Sequence, residues 1–335
     1  MATNILDNLP ELVKLLISLT SGFHWIDNDG QKGRPFVYKT KTIVNAFIVM
    51  AHFQLNSVRS LARFLISHSY WARACGFSDS TPSYRTLSRR LNVLDKPAVS
   101  FASSVIRVLA KYHLISFNVV STDSSLCEAY GRLTHKNHPE IKATDSDARW
   151  GWSETRDWVF GYKFHLTSSV LLSGKTLVPL AWETTPANLH DSKLFISLME
   201  KVSMLSEKSG RRINFSLGDK AYDINENYYF CQKQKRIFRL ITPVRRFKNR
   251  KEIPIKERVK RFVDSPKGKR LYQRRADNER LFAQFKDLFL IDPLPITGHE
   301  RVRSYLSVIC LAYLLGVLYN HLNGRSLRAI KSLAT

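Results

Sequence analysis

"LISFNVVSTDSS", residues 114–125, is where the sequence changes character. Ahead of it, apolar residues recur at helical spacing; from it onward, β-branched and aromatic residues cluster in short runs. The run is apolar until it ends in Asp123, set among serines and a threonine. "WVFGYKFHLTSSVLL" (158–172) alternates Tyr162, Phe164 and Leu166 on one face with Lys163 and His165 on the other, the period of a strand. "TLVPLAWETT" (176–185), "RRINFSLGDKAYD" (211–223, ending its apolar part at Asp219) and "RIFRLITPV" (236–244) are three more strand candidates. "HDSKLFISLMEKVSML" (190–205) reads as a helix between the third and fourth, with Asp191 in its opening turn and Asn188, His190 and Asp191 fixing the loop that enters it. Strands and helices in this order predict an α/β domain whose sheet mixes antiparallel and parallel strands.

Residues 1–112 predict helices only. "PELVKLLISLTSG", "KTIVNAFIVMAHFQ", "SVRSLARFLISHS" and "STPSYRTLSRRLNVLD" carry the periodicity, and Thr81 and Pro82 suit the cap and first position of the last. Arg85, Arg89 and Arg90 fall on one side of that helix, and two helices joined by a turn with arginines on the second outline a helix-turn-helix that contacts DNA.

Charge points the same way. The 335 residues hold 52 Lys and Arg against 28 Asp and Glu, a formal net charge of +24. Such an excess costs self-repulsion, and a polyanionic partner is its usual compensation, nucleic acid before an anionic membrane. The stretch 245–280 is the extreme, with fifteen Lys and Arg and five Asp and Glu. Pro254, Pro266 and Gly268 break it, so it is no single helix. The four cysteines are scattered with no CxxC pair, which argues against structural zinc and fits a reducing cytoplasm, where a DNA-bound protein would sit on the nucleoid. The N-terminal stretch has neither the basic region nor the cleavage site of a secretory signal. "SYLSVICLAYLLGVLYNHL" (304–322) approaches a membrane span in length, but its polar residues favour a buried helix, and no membrane partner is expected. His135 and His138 lack a second ligand pair and suit a surface loop.

Strand ends are where α/β sheets place their sites, which singles out Asp123 and Asp219. A third acid comes from "YQRRADNERLFAQFK" (272–286). Taken as one α-helix at about 100° per residue, it sets Tyr272, Arg275, Glu279 and Lys286 within an arc of roughly 60°, beside an apolar stripe of Leu281, Phe282, Phe285 and Phe289. Three carboxylates, Asp123, Asp219 and Glu279, meeting in basic surroundings suit hard divalent cations: two Mg²⁺, or Mn²⁺, completed by substrate phosphate. Arg275 as a fork and Lys286 as a point charge would hold phosphates, Tyr272 would hydrogen-bond a phosphate or stack on a base, and Lys163 and His165 would face the substrate from the neighbouring strand.

The spacing Tyr-x2-Arg-x3-Glu-x6-Lys, met by Tyr272, Arg275, Glu279 and Lys286, resembles the YREK pattern of bacterial insertion-sequence transposases of the DDE type. "STDSS" and "LGDKAYD" resemble that family's first and second aspartate segments, and "GYKFHL" with "PLAWETTPANLHDSKLF" resembles the stretch between them; the likeness runs over about 115–322. It implies a ribonuclease-H-like core, a mixed five-stranded sheet with flanking helices, over 113–335, with a basic insertion at about 243–271 and the all-helical DNA-binding domain 1–112 before it. It further implies that Asp123, Asp219 and Glu279 are a catalytic triad, that Mg²⁺-dependent cleavage at element ends precedes joining of the 3′-OH ends to target DNA, and that the chain works as a homodimer on double-stranded terminal inverted repeats and target. The rival readings are a transposase-derived DNA-binding protein and a metal-dependent nuclease without strand transfer.

Overall fold

A computed structural model describes residues 10–25, 27, 36–131, 142–234, 236–241 and 254–333. His135 and His138, and the first quarter of the basic stretch, lie outside the described residues. By packing, the chain divides into two units: Met1–Val105 with Glu128–Ala148 and Gln284–Thr335, and Ile106–Cys127 with Arg149–Ala283. These are not the contiguous 1–112 and 113–335 of the sequence reading. The C-terminal apolar segment packs with the N-terminal helices because both need an apolar partner face.

The first unit is helical. α1 (Glu11–Ser21), α2 (Thr40–His52), α3 (Val58–Ser67), α4 (Ser69–Cys75) and α5 (Tyr84–Leu91) follow one another, and α6 (Asp95–Lys111) begins here. α4 is an extra short helix between the two that the sequence outlined; it ends on Gly76 in the left-handed conformation, φ 99°. α5 begins after Ser83, whose Oγ accepts the Thr86 N–H at 3.2 Å. Ser83 is thus the cap, not Thr81, because a serine directly before the helix can reach the third helical N–H. The long α12 (His299–Leu322) packs on α1, α2 and α5. It is long and apolar enough to cross a membrane, yet 94% of its apolar window is buried inside the protein, as a core helix requires.

The second unit is built on a six-stranded sheet. Its strands are β1 (Val119–Glu128), β2 (Arg149–Ser153), β3 (Asp157–Ser169), β4 (Pro179–Pro186), β5 (Phe215–Gly218) and β6 (Phe238–Leu240), with α7 (Phe195–Lys208) between β4 and β5 and α8 (Asn225–Tyr229) between β5 and β6. β4 pairs antiparallel with β3, β3 pairs with β1, and β5 and β6 follow in parallel from β1. That path of five strands with flanking helices is the mixed antiparallel and parallel sheet that the order of strands and helices predicts. The sixth strand, β2, extends it as a hairpin on the first residues of β3, Trp152 opposite Trp158. Val119, Val120, Leu217 and Leu240 fill the centre of the sheet. α9 (Pro254–Asp264) and α10 (Pro266–Tyr272) form a corner where Ser265 caps α10 and Gly268 passes against the Phe262 carbonyl; a Cβ there would overlap that oxygen. α11 (Asp277–Leu288) follows.

Candidate active site

Asp123 lies in the middle of β1, which runs on to Glu128, rather than at a strand end. The sequence misleads because serines follow it, yet they continue the strand. Its carboxylate accepts the Ser124 N–H at 2.8 Å. Asp219 directly follows β5, and its Oδ1 accepts the Ala221 N–H at 2.9 Å, capping a single 3₁₀ turn, Lys220–Tyr222. The parallel register of β1 and β5, Thr122 opposite Gly218, brings the two aspartates to neighbouring strands. Burial pushes the Asp123 carboxyl up to about 7, helped by the negative charges of Asp219 and Asp191, while the Ser124 N–H and Arg275 pull it down. Asp219 is raised as well, by burial first.

The third acid sits on a different piece of helix than the sequence implied. Tyr272 ends α10, and Gln273–Ala276 form a 3₁₀ turn before α11 starts at Asp277. The tighter turn breaks the 100° spacing, so the four residues do not form the stripe of one α-helix. The turn packs beside β5. Tyr272 Oη is 3.4 Å from the Gly218 carbonyl oxygen, so its hydroxyl serves the backbone before Asp219. Glu279, with 60% of its side chain exposed, pairs with Arg275 at 3.4 Å. Arg275 therefore touches the third acid while its charge acts on the other two. Two residues before Glu279 pin α11 to the sheet. Asp277 Oδ2 accepts the Leu171 N–H at 2.8 Å, and the buried Asn278 amide donates to Ser121 Oγ at 3.0 Å and accepts from Ser168 Oγ.

The remaining expectations divide. Lys163 does face the site's surroundings, but its ammonium is held by Asp191 Oδ1 at 2.9 Å and the Leu189 carbonyl at 3.0 Å. His165 is fully buried, hydrogen-bonded to Thr185 Oγ1 at 2.8 Å, and burial lowers it to about 4. It is a structural histidine, not a DNA contact. Of Asn188, His190 and Asp191, His190 caps the turn before α7, by accepting the Ser192 N–H. Lys286 pairs with Asp292 at 2.9 Å and keeps about a third of its side chain exposed. Arg90 is buried too: it donates to the Tyr38 carbonyl at 2.6 Å and Thr40 Oγ1 at 3.0 Å and stacks 3.7 Å over Phe36. Arg85 and Arg89 stay exposed on α5. A fully buried arginine that sequence reasoning did not single out, Arg239, lies behind Gly218; it donates to Ser216 Oγ at 2.7 Å and its Cζ sits 3.6 Å over the Phe195 ring.

A Transposase DDE domain model matches residues 118–315, which spans the sheet, both aspartates and α11. The chain belongs to the DDE transposase family. A second model, Transposase domain (DUF772), matches residues 3–92, so the helical N-terminal part of this transposase also has transposase relatives. No curated protein matches the chain. Among solved structures, the piggyBac transposase synaptic complex with hairpin DNA is similar at 11% identity over 97% of this chain and 75% of that one, TM-score 0.45. The Mos1 strand transfer complex is similar at 14% identity over 88% and 79%, TM-score 0.29. Likenesses this distant add nothing to the family assignment.

The donor set of this transposase is the kind that takes hard cations: carboxylates only, two of them part-buried and raised first by that burial and then by neighbouring negative charge. A divalent ion there would supply positive charge to Asp123 and Asp219, which no lysine or arginine among the described residues pairs directly, whereas Asp191 already has Lys163. Among the described residues, however, no three such side chains already stand close enough to hold a metal. Glu279 pairs with Arg275 instead.

Proposed function

We propose that this transposase cuts the ends of a bacterial insertion sequence and joins the freed 3′-OH ends to target DNA, and that Tyr272, Arg275, Glu279 and Lys286 are its YREK residues. The observation that carries the reading is the convergence of Asp123 and Asp219 on neighbouring strands with Arg275 linking them to Glu279. Asp123, Asp219 and Glu279 would hold two Mg²⁺ or Mn²⁺ ions. When bound, such ions activate an attacking water or hydroxyl and stabilise the leaving oxygen of an in-line displacement.

The chain's own residues would do the rest. Ser124 N–H and Ala221 N–H fix the two aspartates in orientation, and Asp277 and Asn278 fix the start of α11, the helix that carries Glu279. Arg275 would pass from Glu279 to a phosphate of the bound strand, its planar fork matching either anion. The exposed Arg85 and Arg89 on α5, with the basic stretch 245–280, would neutralise backbone phosphates of double-stranded DNA, and two copies of the chain would act on paired ends.

The test uses the full chain, Mg²⁺ or Mn²⁺, and a duplex carrying the inverted repeats that flank its own gene. Excision and joined products are expected. Asp123→Asn, Asp219→Asn and Glu279→Gln are each expected to abolish both while leaving end binding intact. Full strand transfer by any of the three variants overturns the triad. Nicking without joined product points to the nuclease reading.

A further inference from the structure

Three of the largest exposed apolar side chains sit together on one hairpin. Trp150, Trp152 and Trp158 are 36%, 55% and 65% exposed. β2 and β3 pair Trp152 with Trp158 and Trp150 with Phe160, so strand alternation sets all four rings on one face, and Trp150 lies 5.4 Å from Phe160. The other face is packed: Val159 joins Leu126 and Ala187 in a small core, and Gly151 lies so close to Ala187 that a Cβ would come 2.6 Å from its carbonyl oxygen. The turn is pinned by the Arg156 N–H donating to Ser153 Oγ at 3.0 Å and by Asp157 at φ 54°, a conformation that aspartate tolerates.

The side of the sheet matters. Phe164 meets Phe282 of α11 with ring centroids 5.9 Å apart, and Ser168 meets Asn278. Trp158 and Phe160 have the same parity along β3, so the indoles project on the α11 side. Ser121 also bonds Asn278, and Asp123 shares its parity along β1. The aromatic face and the candidate catalytic face are thus the same side of one sheet, and Trp158 lies roughly 20 Å along β3 from Phe164.

From this placement we propose that the β2–β3 hairpin is a stacking platform for unpaired nucleobases of the DNA that this transposase handles. The inference rests on the DNA-cleaving reading above. Size favours bases over a protein partner. At 150–250 Å² per buried indole, the exposed parts sum to a few hundred Å², below the roughly 800 Å² per partner of a stable protein interface, whereas one indole covers one base. Charge agrees. Arg149 and Arg156 are balanced by Glu154 and Asp157, so the hairpin adds ring faces while the +24 chain supplies the attraction for phosphate. Stacking requires an open base face, which a strand offers once it is unpaired and an intact duplex does not.

The experiment measures binding of the full chain, without divalent metal, to a thymidine-only single strand and to a duplex of equal length across a range of salt. Trp152→Ala and Trp158→Ala are each expected to weaken single-strand binding about ten-fold, and more together, with duplex affinity and the salt slope unchanged. Trp152→Leu and Trp158→Leu, which keep apolar bulk, are expected to lose as much, and Trp152→Tyr and Trp158→Tyr to keep most of the wild-type affinity. Unchanged single-strand affinity in the double Leu variant, with its thermal midpoint preserved, overturns the platform. So does a change of oligomeric state by sedimentation with single-strand binding intact, which would assign the face to a second copy of the chain. A chain that binds neither DNA fails the transposase reading itself; one that cuts element ends but ignores these substitutions fails this inference alone.

Discussion

Asn278 Nδ2 lies 3.0 Å from Ser121 Oγ, and this bond ties the residue before Glu279 to the strand that carries Asp123. The Asn278 amide oxygen accepts from Ser168 Oγ as well, and all three side chains are buried. A satisfied buried network of this kind fixes geometry, and removing its centre leaves two hydroxyls with desolvated oxygens. Asn278→Ala is expected to cost about 1–3 kcal/mol of stability in urea denaturation. It should also lower the turnover of element-end cleavage more than it weakens end binding, since it loosens the approach of Glu279 without touching DNA. Equal losses in turnover and binding would mean that α11 is not positioned by this bond.

Gly218 precedes Asp219, and its lack of a side chain is used. A Cβ there would stand 2.5 Å from Arg239 Nη2. An arginine tip can ordinarily move aside, but this one is fully enclosed, 2% exposed, stacked on Phe195 and bonded to Ser216. Gly218→Ala is therefore expected to destabilise by about 1–3 kcal/mol, as overpacking does, and to lower the thermal midpoint. Adding Arg239→Met, which vacates the space, should make the alanine nearly neutral in that background. Additive losses in the double variant would show that the clash is elsewhere.

The strands and the two aspartates were legible because the sheet's period and its order against the helices are written locally, in runs such as 114–125 and 158–172. Asn278, Asp277, Lys163–Asp191 and Arg239 were not, because each acquires its role from a partner 23 to 157 residues away in sequence. Helix spacing misread 272–286 for a related reason. Nothing in the residues Gln273–Ala276 marks a 3₁₀ turn, and packing beside β5 decides it. The arginines of α5 show the same limit: spacing put Arg90 with Arg85 and Arg89, while the fold buries Arg90 under Phe36. β2 was missed because "RWGWS" alternates tryptophan with arginine, glycine and serine, and its partner strand supplies the apolar face.

His165 makes the acid side of stability readable. Burial holds it neutral, at about 4 against an ordinary 6.5. A group lowered in the folded protein contributes stability that is full above the unfolded value and lost as pH falls toward the folded one. By pH 5 the wild type should have lost about 2 kcal/mol through this residue. His52, also near 4, acts with the same sign, and Asp123, near 7, with the opposite one, since protonating it favours the folded form. The difference between wild type and His165→Asn isolates the one residue. The variant, which can keep a bond to Thr185, is expected to gain on the wild type steadily from pH 6.5 to 4 in thermal unfolding. A difference constant over that range would show that His165 is charged in the folded protein.

Lys163 and Asp191 give the last test, because their pairing stands beside two acids that already repel. Lys163 Nζ is 2.9 Å from Asp191 Oδ1, with little of either side chain exposed, and the turn that Asp191 opens packs against the turn capped by Asp219. Removing the lysine leaves Asp191 as a third uncompensated negative charge near Asp123 and Asp219. Breaking an enclosed pair by one partner costs about 3–5 kcal/mol, and partial exposure brings the expectation for Lys163→Met down to about 1–3 kcal/mol. Asp191→Asn alone should cost less, since Lys163 keeps the Leu189 carbonyl and the charge of the nearby aspartates. In the double variant both charges are gone, so its loss should fall short of the sum by about 1 kcal/mol or more in a double-mutant cycle. Divalent metal should narrow the Lys163→Met deficit, because an ion bound by Asp123 and Asp219 as proposed would supply the missing positive charge. A deficit that metal leaves unchanged would separate this pair from the acids and make it a local brace for the loop before α7.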